Sequence, residues 1–344
     1  MDCYLSIIAT TRNDNHGGDL LRRTSAFVNN VFEQSKKFGV SVELILVEWN
    51  PPIDKPLLKD VLPKPGKDVP VVLKYVVVSN EIHNTYNNAS TIPLYQMIAK
   101  NVGIRRAVGE FILCTNIDIL FSNQCFEFFA KRELEKGKYY RSNRCDIPKD
   151  VMEIDSIQGQ LDYAEKNIIQ RLGKTKGHEA LHLPKFATFS SKLAFLLNFS
   201  ILKLWKATHR GKFPHFTIDF NACGDFTLMS KSDWEDIQGY PELDMYSIHI
   251  DSMGVWAANA LGKKQVILPK AACIYHIYHE DGWESDDPIK TIKFLANKPS
   301  LDYSIVFRGG MTLVEKKKSW DLNEEDWGMK NRELDEFVFN SFED

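Results

Sequence analysis

Three short stretches of the sequence carry side chains able to do chemistry. Asn116-Ile117-Asp118 follows the apolar run Phe111-Ile-Leu-Cys114, so Asp118 presents a carboxylate where a buried strand ends. A hard oxygen there can hold a divalent cation against a diphosphate. The plainer reading is a turn or capping aspartate, but Ser122 and Asn123 offer a separate helix cap. Ile250-Asp251 opens a helical stretch, where the helix dipole by itself favours an acid. Asp244 lies in the loop just before it, and His249 could orient either carboxylate. The segment Ile274-Tyr-His276-Ile-Tyr-His279 concentrates two imidazoles close behind a strand. A neutral imidazole suits Mn²⁺ better than Mg²⁺, although such a pair can equally be part of an aromatic cluster. Arg12, Lys100 and Arg105 are cations that could neutralise phosphates.

These residues need elements to hold them. Leu5-Ser-Ile-Ile-Ala9 reads as a strand ending in Thr10-Thr11-Arg12, and residues 20–37 carry apolar side chains at helical spacing. Further strands are expected at Val42 to Val47, closed by Glu48, at Val71 to Val78 and at Phe111 to Cys114, with a helix from Pro93 to about Ala107. Such alternation implies a doubly wound sheet whose ligands sit beyond the carboxyl ends of the strands. Thr10, Thr11, Arg12, Glu48, Asn116 and Asp118 are therefore expected to face one crevice. Residues 150–215 read as helices without strands. A strand at Phe226 to Met229, helices at Ser232 to Gln238 and His249 to Leu261, and a strand at Gln265 to Leu268 follow. Beyond Trp283 the chain is polar and charged, which predicts a peripheral extension.

Length and composition agree with an enzyme-sized globular protein. The 344 residues are 44% hydrophobic and 26% charged, which excludes disordered and fibrous classes. A net charge of -3 gives no global reason to expect nucleic acid. Six cysteines without a CxxC pair suggest neither a zinc framework nor a disulfide scaffold. No basic leader or spanning apolar run is visible, so a cytoplasmic location is expected and the sequons at Asn88 and Asn198 read as chance. The stretch from Leu193 to Trp205, flanked by lysines, reads as a buried helix with snorkelling cations, peripheral membrane contact being the other option.

The run from Lys100-Asn101 through Gly109-Glu110 to Asn116-Ile117-Asp118 resembles the helix, strand and DxD stretch of GT-A nucleotide-sugar glycosyltransferases, particularly family 2. The likeness extends to the Thr10-Thr11-Arg12 loop and to Glu48. The block from Gly224 to Glu242 resembles a galactosyltransferase-type segment, followed by Ile250-Asp251 and, eleven residues on, Gly262. The resemblance covers roughly residues 4–150 and 221–280. It implies an α/β GT-A fold, a Rossmann-like doubly wound mixed sheet with helices on both faces and a helical acceptor-side insertion. Residues 1–150 would form the donor half, 150–215 the insertion, 216–285 the acceptor and catalytic half, and 286–344 the peripheral extension. The donor would be held by Thr10, Thr11, Arg12, Glu48, Lys100, Asn101, Asn116 and Asp118, with Glu48 on uracil N3–H or a ribose hydroxyl. Mn²⁺ or Mg²⁺ would sit on Asp118, with His276 or His279 as a further ligand. Asp251 would be the general base, with Asp244 its nearest competitor.

The activity so implied is inverting transfer of a sugar from a UDP-sugar, or a GDP-sugar, to a hydroxyl of a glycan or other acceptor. Three positions depart from the family pattern: Asn116 stands for the first acid of DxD, Lys100 for an arginine and Ile250 for the first acid of a Glu-Asp pair. A sugar-phosphate nucleotidyltransferase is one alternative, but Thr10-Thr-Arg-Asn-Asp14 is not a Gly-rich phosphate loop. A non-catalytic nucleotide-sugar or glycan-binding module is the other.

Overall fold

The computed structural model describes residues 3–173, 218–279 and 298–340. Strand β1 (Leu5–Thr11) lies at the centre, with β2 (Val42–Trp49) and β3 (Val71–Val78) on one side and β4 (Phe111–Cys114) on the other, all parallel. Both faces of these strands are covered, which is why they read as near-continuous apolar runs. Alternation sends Leu5, Ile7 and Ala9 into one core layer and Ile8 into the other. Helix α1 (Leu20–Phe38) buries Phe27, Val28 and Val31 on the first face, while α4 (Gln96–Arg106) covers the second. Two one-turn helices, α2 (Leu58–Val61) and α3 (Asn80–His83), sit in the connections. The expected strands at 5, 42, 71 and 111 thus begin where the pattern places them, and β1 and β2 run two residues further.

The sheet continues beyond β4 through β9 (Thr227–Ser230), antiparallel to it, then β6 (Lys138–Arg141) and β10 (Lys264–Ile267). A second, four-stranded sheet is ordered β5 (Ile119–Phe121), β11 (Ile274–Ile277), β7 (Arg144–Ile147) and β8 (Gln170–Leu172). Helices α5 (Asn123–Ala130), α6 (Ile157–Lys166), α7 (Lys231–Ile237) and α8 (Ile250–Ala260) complete the layers. The architecture is therefore mixed α/β with a doubly wound mixed sheet, as expected.

Two expectations are corrected. The stretch after residue 150 contains β8, so it is not strand-free; residues 174–217, including the Leu193 to Trp205 run, lie outside the described residues. The C-terminal segment is not peripheral. Helix α9 (Tyr303–Lys316) buries Val306 and Leu313, Trp327 is 3% exposed, and β12 (Asp335–Phe339) closes the sheet edge antiparallel to β3. Its charged look comes from residues paired at that edge, such as Glu336 with Arg106 at 2.8 Å. No helix among the described residues is long and apolar enough to cross a membrane.

Candidate functional site

A crevice of about 700 Å³ opens at the carboxyl ends of β1 and β4. Thr10, Thr11 and Arg12 line it from β1 and the loop after it, and Asn116 and Asp118 from the turn after β4. Asp251 enters from the first turn of α8, while His276 and His279 come from the second sheet, so elements far apart in sequence converge there.

Asp118 is the centre of one wall. Its Oδ2 lies 2.9 Å from His279 Nε2, 3.4 Å from Arg23 Nη1 and 3.8 Å from His276 Nε2. Its Oδ1 is buried with no hydrogen-bond partner. Burial alone would push this carboxyl up, but His276, His279 and Arg23 together hold it well below the usual carboxylate range. One ligand-type atom from each of Asp118, His276 and His279 falls within 4.8 Å of the others. Asp146 on β7 stands 3.1 Å from His276 Nδ1, which turns Nε2 toward Asp118. Burial and Arg144 oppose a charge on His276, yet Asp118, Asp146 and Asp225 outweigh them and raise its pKa. The donor set, one carboxylate and two imidazoles with an orphaned buried oxygen, fits a first-row divalent ion, Mn²⁺ among them. Gly17 is required beside it: a Cβ there would lie 2.6 Å from His279 Nδ1, and its φ of 67° is left-handed.

Asp251 is oriented by backbone donors. Its Oδ2 accepts the Gly224 N–H at 2.8 Å and its Oδ1 the Ser252 N–H at 2.8 Å. Thr10 and Thr11 are buried with hydroxyls that have no partner. Arg12 reaches the crevice while donating to Asn50 O at 2.7 Å and to Asp14 at 2.9 Å. The Asn116 amide is used within the protein: its oxygen accepts from Gln96 at 2.8 Å and Lys100 at 3.0 Å, and its nitrogen donates to Asp225 at 2.5 Å.

Four expected site residues do not line the crevice. Lys100 is fully buried, with Nζ on Gly224 O at 2.7 Å, and so braces the Gly224 turn that holds Asp251. Asn101 donates to Tyr240 O at 2.7 Å and accepts its N–H at 2.8 Å, fixing the turn at Gly239. Asp244 ties two loops, accepting the Asn87 N–H at 2.6 Å and the Tyr95 hydroxyl at 2.5 Å. Glu48 is buried and accepts the Leu58 N–H at 2.9 Å, so it does not present itself to a base or ribose. Arg105 stacks on Trp327, 3.7 Å from the ring centre, and does not line the crevice. His249 lines the crevice, its ring centre 5.2 Å from that of Tyr303.

Burial raises the Glu48 carboxyl to about 7. The folded protein thus holds this proton more tightly than the unfolded chain, and stability falls as pH rises from about 4.5 to about 7, then levels off. Glu48→Gln cannot ionise and loses this decline. In urea titrations its stability relative to the parent should rise by about 2–3 kcal/mol between pH 5 and pH 8. An unchanged difference would mean that the carboxyl ionises freely.

Sequence reasoning missed Arg23, Arg144, Asp146 and Asp225. Arg144 links Asp146 at 2.6 Å to Asp225 at 2.9 Å, tying the second sheet to the Asn116 turn. The only local signal was alternation in Arg144-Cys-Asp-Ile147, and its charged residues look solvated until their partners are placed.

No protein-family model and no curated protein matches the chain. Among solved structures it is similar to a crystal structure of S. aureus TarS 1–349, at 13% identity over 91% of this chain and 71% of that one, with a TM-score of 0.44. A likeness this distant transfers neither residues nor activity.

Proposed function

We propose that the protein is a glycosyltransferase that moves a sugar from a nucleoside-diphosphate sugar to a hydroxyl group, with inversion at the anomeric carbon. The observation that carries this reading is the pairing, in one crevice at the carboxyl ends of parallel strands, of the Asp118, His276 and His279 cluster with the backbone-oriented carboxylate of Asp251. Asp118, His276 and His279 would hold a divalent cation, which when bound supplies positive charge to a diphosphate. Thr10, Thr11 and Arg12, which line the crevice from β1 and its loop, would meet the nucleotide. Asp251 accepts the proton of the acceptor hydroxyl as that oxygen bonds to the anomeric carbon. The bond from that carbon to the diphosphate oxygen breaks, and the nucleoside diphosphate departs. Gly224 and Ser252 keep the Asp251 carboxylate aimed through their N–H groups.

Because Glu48 is turned into the protein, the choice of nucleobase no longer rests on it, and UDP- and GDP-sugars are equal first candidates. The test is turnover of a panel of UDP- and GDP-sugars with Mn²⁺, read as nucleoside diphosphate released. Transfer, or slow donor hydrolysis without an acceptor, supports the enzyme. Binding without release of diphosphate supports a binding module, and pyrophosphate release from a nucleoside triphosphate with a sugar 1-phosphate supports a nucleotidyltransferase.

A further inference from the structure

Around Asp251 the crevice wall is built of rings. Phe220, Tyr246, His249 and Tyr303 all line it. Tyr303 is the first residue of α9, and the Asp302 side chain fixes the start of that helix by accepting the Ser304 N–H at 2.7 Å. The Tyr303 ring lies 5.2 Å from His249 and 6.2 Å from Phe307, yet 42% of its surface remains exposed. Phe307 packs edge-on 5.7 Å from the buried Trp256, and Phe220 lies 4.9 Å from the same Trp256 ring, so a run of aromatic contacts supports Tyr303 from the core outward. His249 is held in the left-handed region at φ 66°, a conformation that a non-glycine residue keeps only where its surroundings enforce it. Burial lowers the His249 pKa against the pull of Asp251 and Asp302, which favours an uncharged ring.

We propose that Tyr303 and His249 form an acceptor subsite for the pyranose ring of an uncharged saccharide, stacking its C–H face on Tyr303 while one of its hydroxyls reaches Asp251. An exposed, rigid aromatic face beside polar atoms matches a ring that is apolar on its face and polar at its rim. The carboxylates of Asp251 and Asp302 act on His249 and outnumber the one cation on this wall among the described residues, Lys298, whose Nζ lies 4.6 Å from the Tyr246 ring centre, which disfavours a phosphate or uronate and selects an uncharged ring. The fate of the hydroxyl rests on the glycosyltransferase reading above; capture of the sugar ring does not. The site also gives the C-terminal segment a direct share in the crevice, since Tyr303 comes from it.

Saturation-transfer NMR on the full chain tests this with methyl β-D-glucopyranoside and methyl β-D-galactopyranoside, using sorbitol as a polyol without a ring face. The expected result is strongest saturation of the protons on one ring face, H1, H3 and H5, and none on sorbitol. Tyr303→Ala should weaken glycoside binding by about three- to tenfold, the size of a lost aromatic stack, and Tyr303→Phe should rescue it. Saturation spread evenly over the sugar, equal binding of sorbitol, or undiminished binding in a folded Tyr303→Ala protein overturns the subsite. If Tyr303→Ala does not fold, the proton pattern on the unaltered protein and on Tyr303→Phe still decides. UDP and GDP binding by calorimetry on the same preparations separates the two readings. Nucleotide binding with no glycoside signal removes the subsite alone, whereas glycoside capture with no nucleotide binding leaves the subsite standing and removes the donor half.

Discussion

Asp251→Asn is expected to reduce sugar transfer at least about a hundredfold while changing donor affinity little, because general-base catalysis typically contributes about 10²–10⁴-fold. The amide keeps the shape of the side chain, and its oxygen can still accept the Gly224 N–H that the carboxylate accepts at 2.8 Å. What it loses is the ability to take a proton and one backbone hydrogen bond, since its NH2 cannot accept the Ser252 N–H. The loss therefore falls on kcat, and a hundredfold corresponds to about 2.7 kcal/mol of transition-state stabilisation. Steady-state rates together with calorimetric donor affinity make the measurement. Undiminished turnover in a correctly folded Asp251→Asn protein would remove Asp251 as the base. An axial product from an axial donor, read from NMR couplings, would overturn inversion itself.

Mn²⁺ alone is expected to raise the thermal midpoint by roughly 4 °C at a hundred times its Kd, since such binding adds about 2.7 kcal/mol to a chain of this length. Asp118→Asn should abolish the shift. It removes the one charged ligand in a cluster whose other members are His276 and His279. Asp146→Asn should weaken Mn²⁺ binding by about 10–100-fold without removing a ligand, because Asp146 acts through the Nδ1 of His276, 3.1 Å away. Thermal shift and calorimetry in Mn²⁺ and in EDTA read all three proteins. If the midpoint is the same in both media, the cluster is an ion-paired network in which Arg23, 3.4 Å from Asp118, already supplies the counter-charge. The mechanism would then have to neutralise the diphosphate with side chains alone.

The sequence by itself determined the central strands and where they end. Apolar runs at Leu5, Val42, Val71 and Phe111 are long enough and cleanly enough bounded that burial on both faces is the one way to satisfy them. From that order alone Thr10, Thr11, Arg12, Asn116 and Asp118 fall at one edge, and the helical start at Asp251 is equally local. What the tertiary structure decided is which polar residues face the crevice and which are consumed inside the fold. Glu48 lies near the end of its strand much as Thr11 does, yet the Leu58 N–H claims it, and Lys100, in the middle of α4, is claimed by the Gly224 carbonyl. Strands β6 and β7 carry Arg141, Arg144 and Asp146, whose charges read as solvent-facing until the partners that bury them are placed. Those partners lie far along the chain: 81 residues separate Arg144 from Asp225, and 130 separate Asp146 from His276. Hydrophobic periodicity reports how one segment is buried, but the pairing of charges depends on contacts between distant segments, which leave no mark on local pattern. For the same reason the C-terminal segment looked peripheral by composition, although its first helix supplies the Tyr303 wall of the crevice and its last strand closes the sheet.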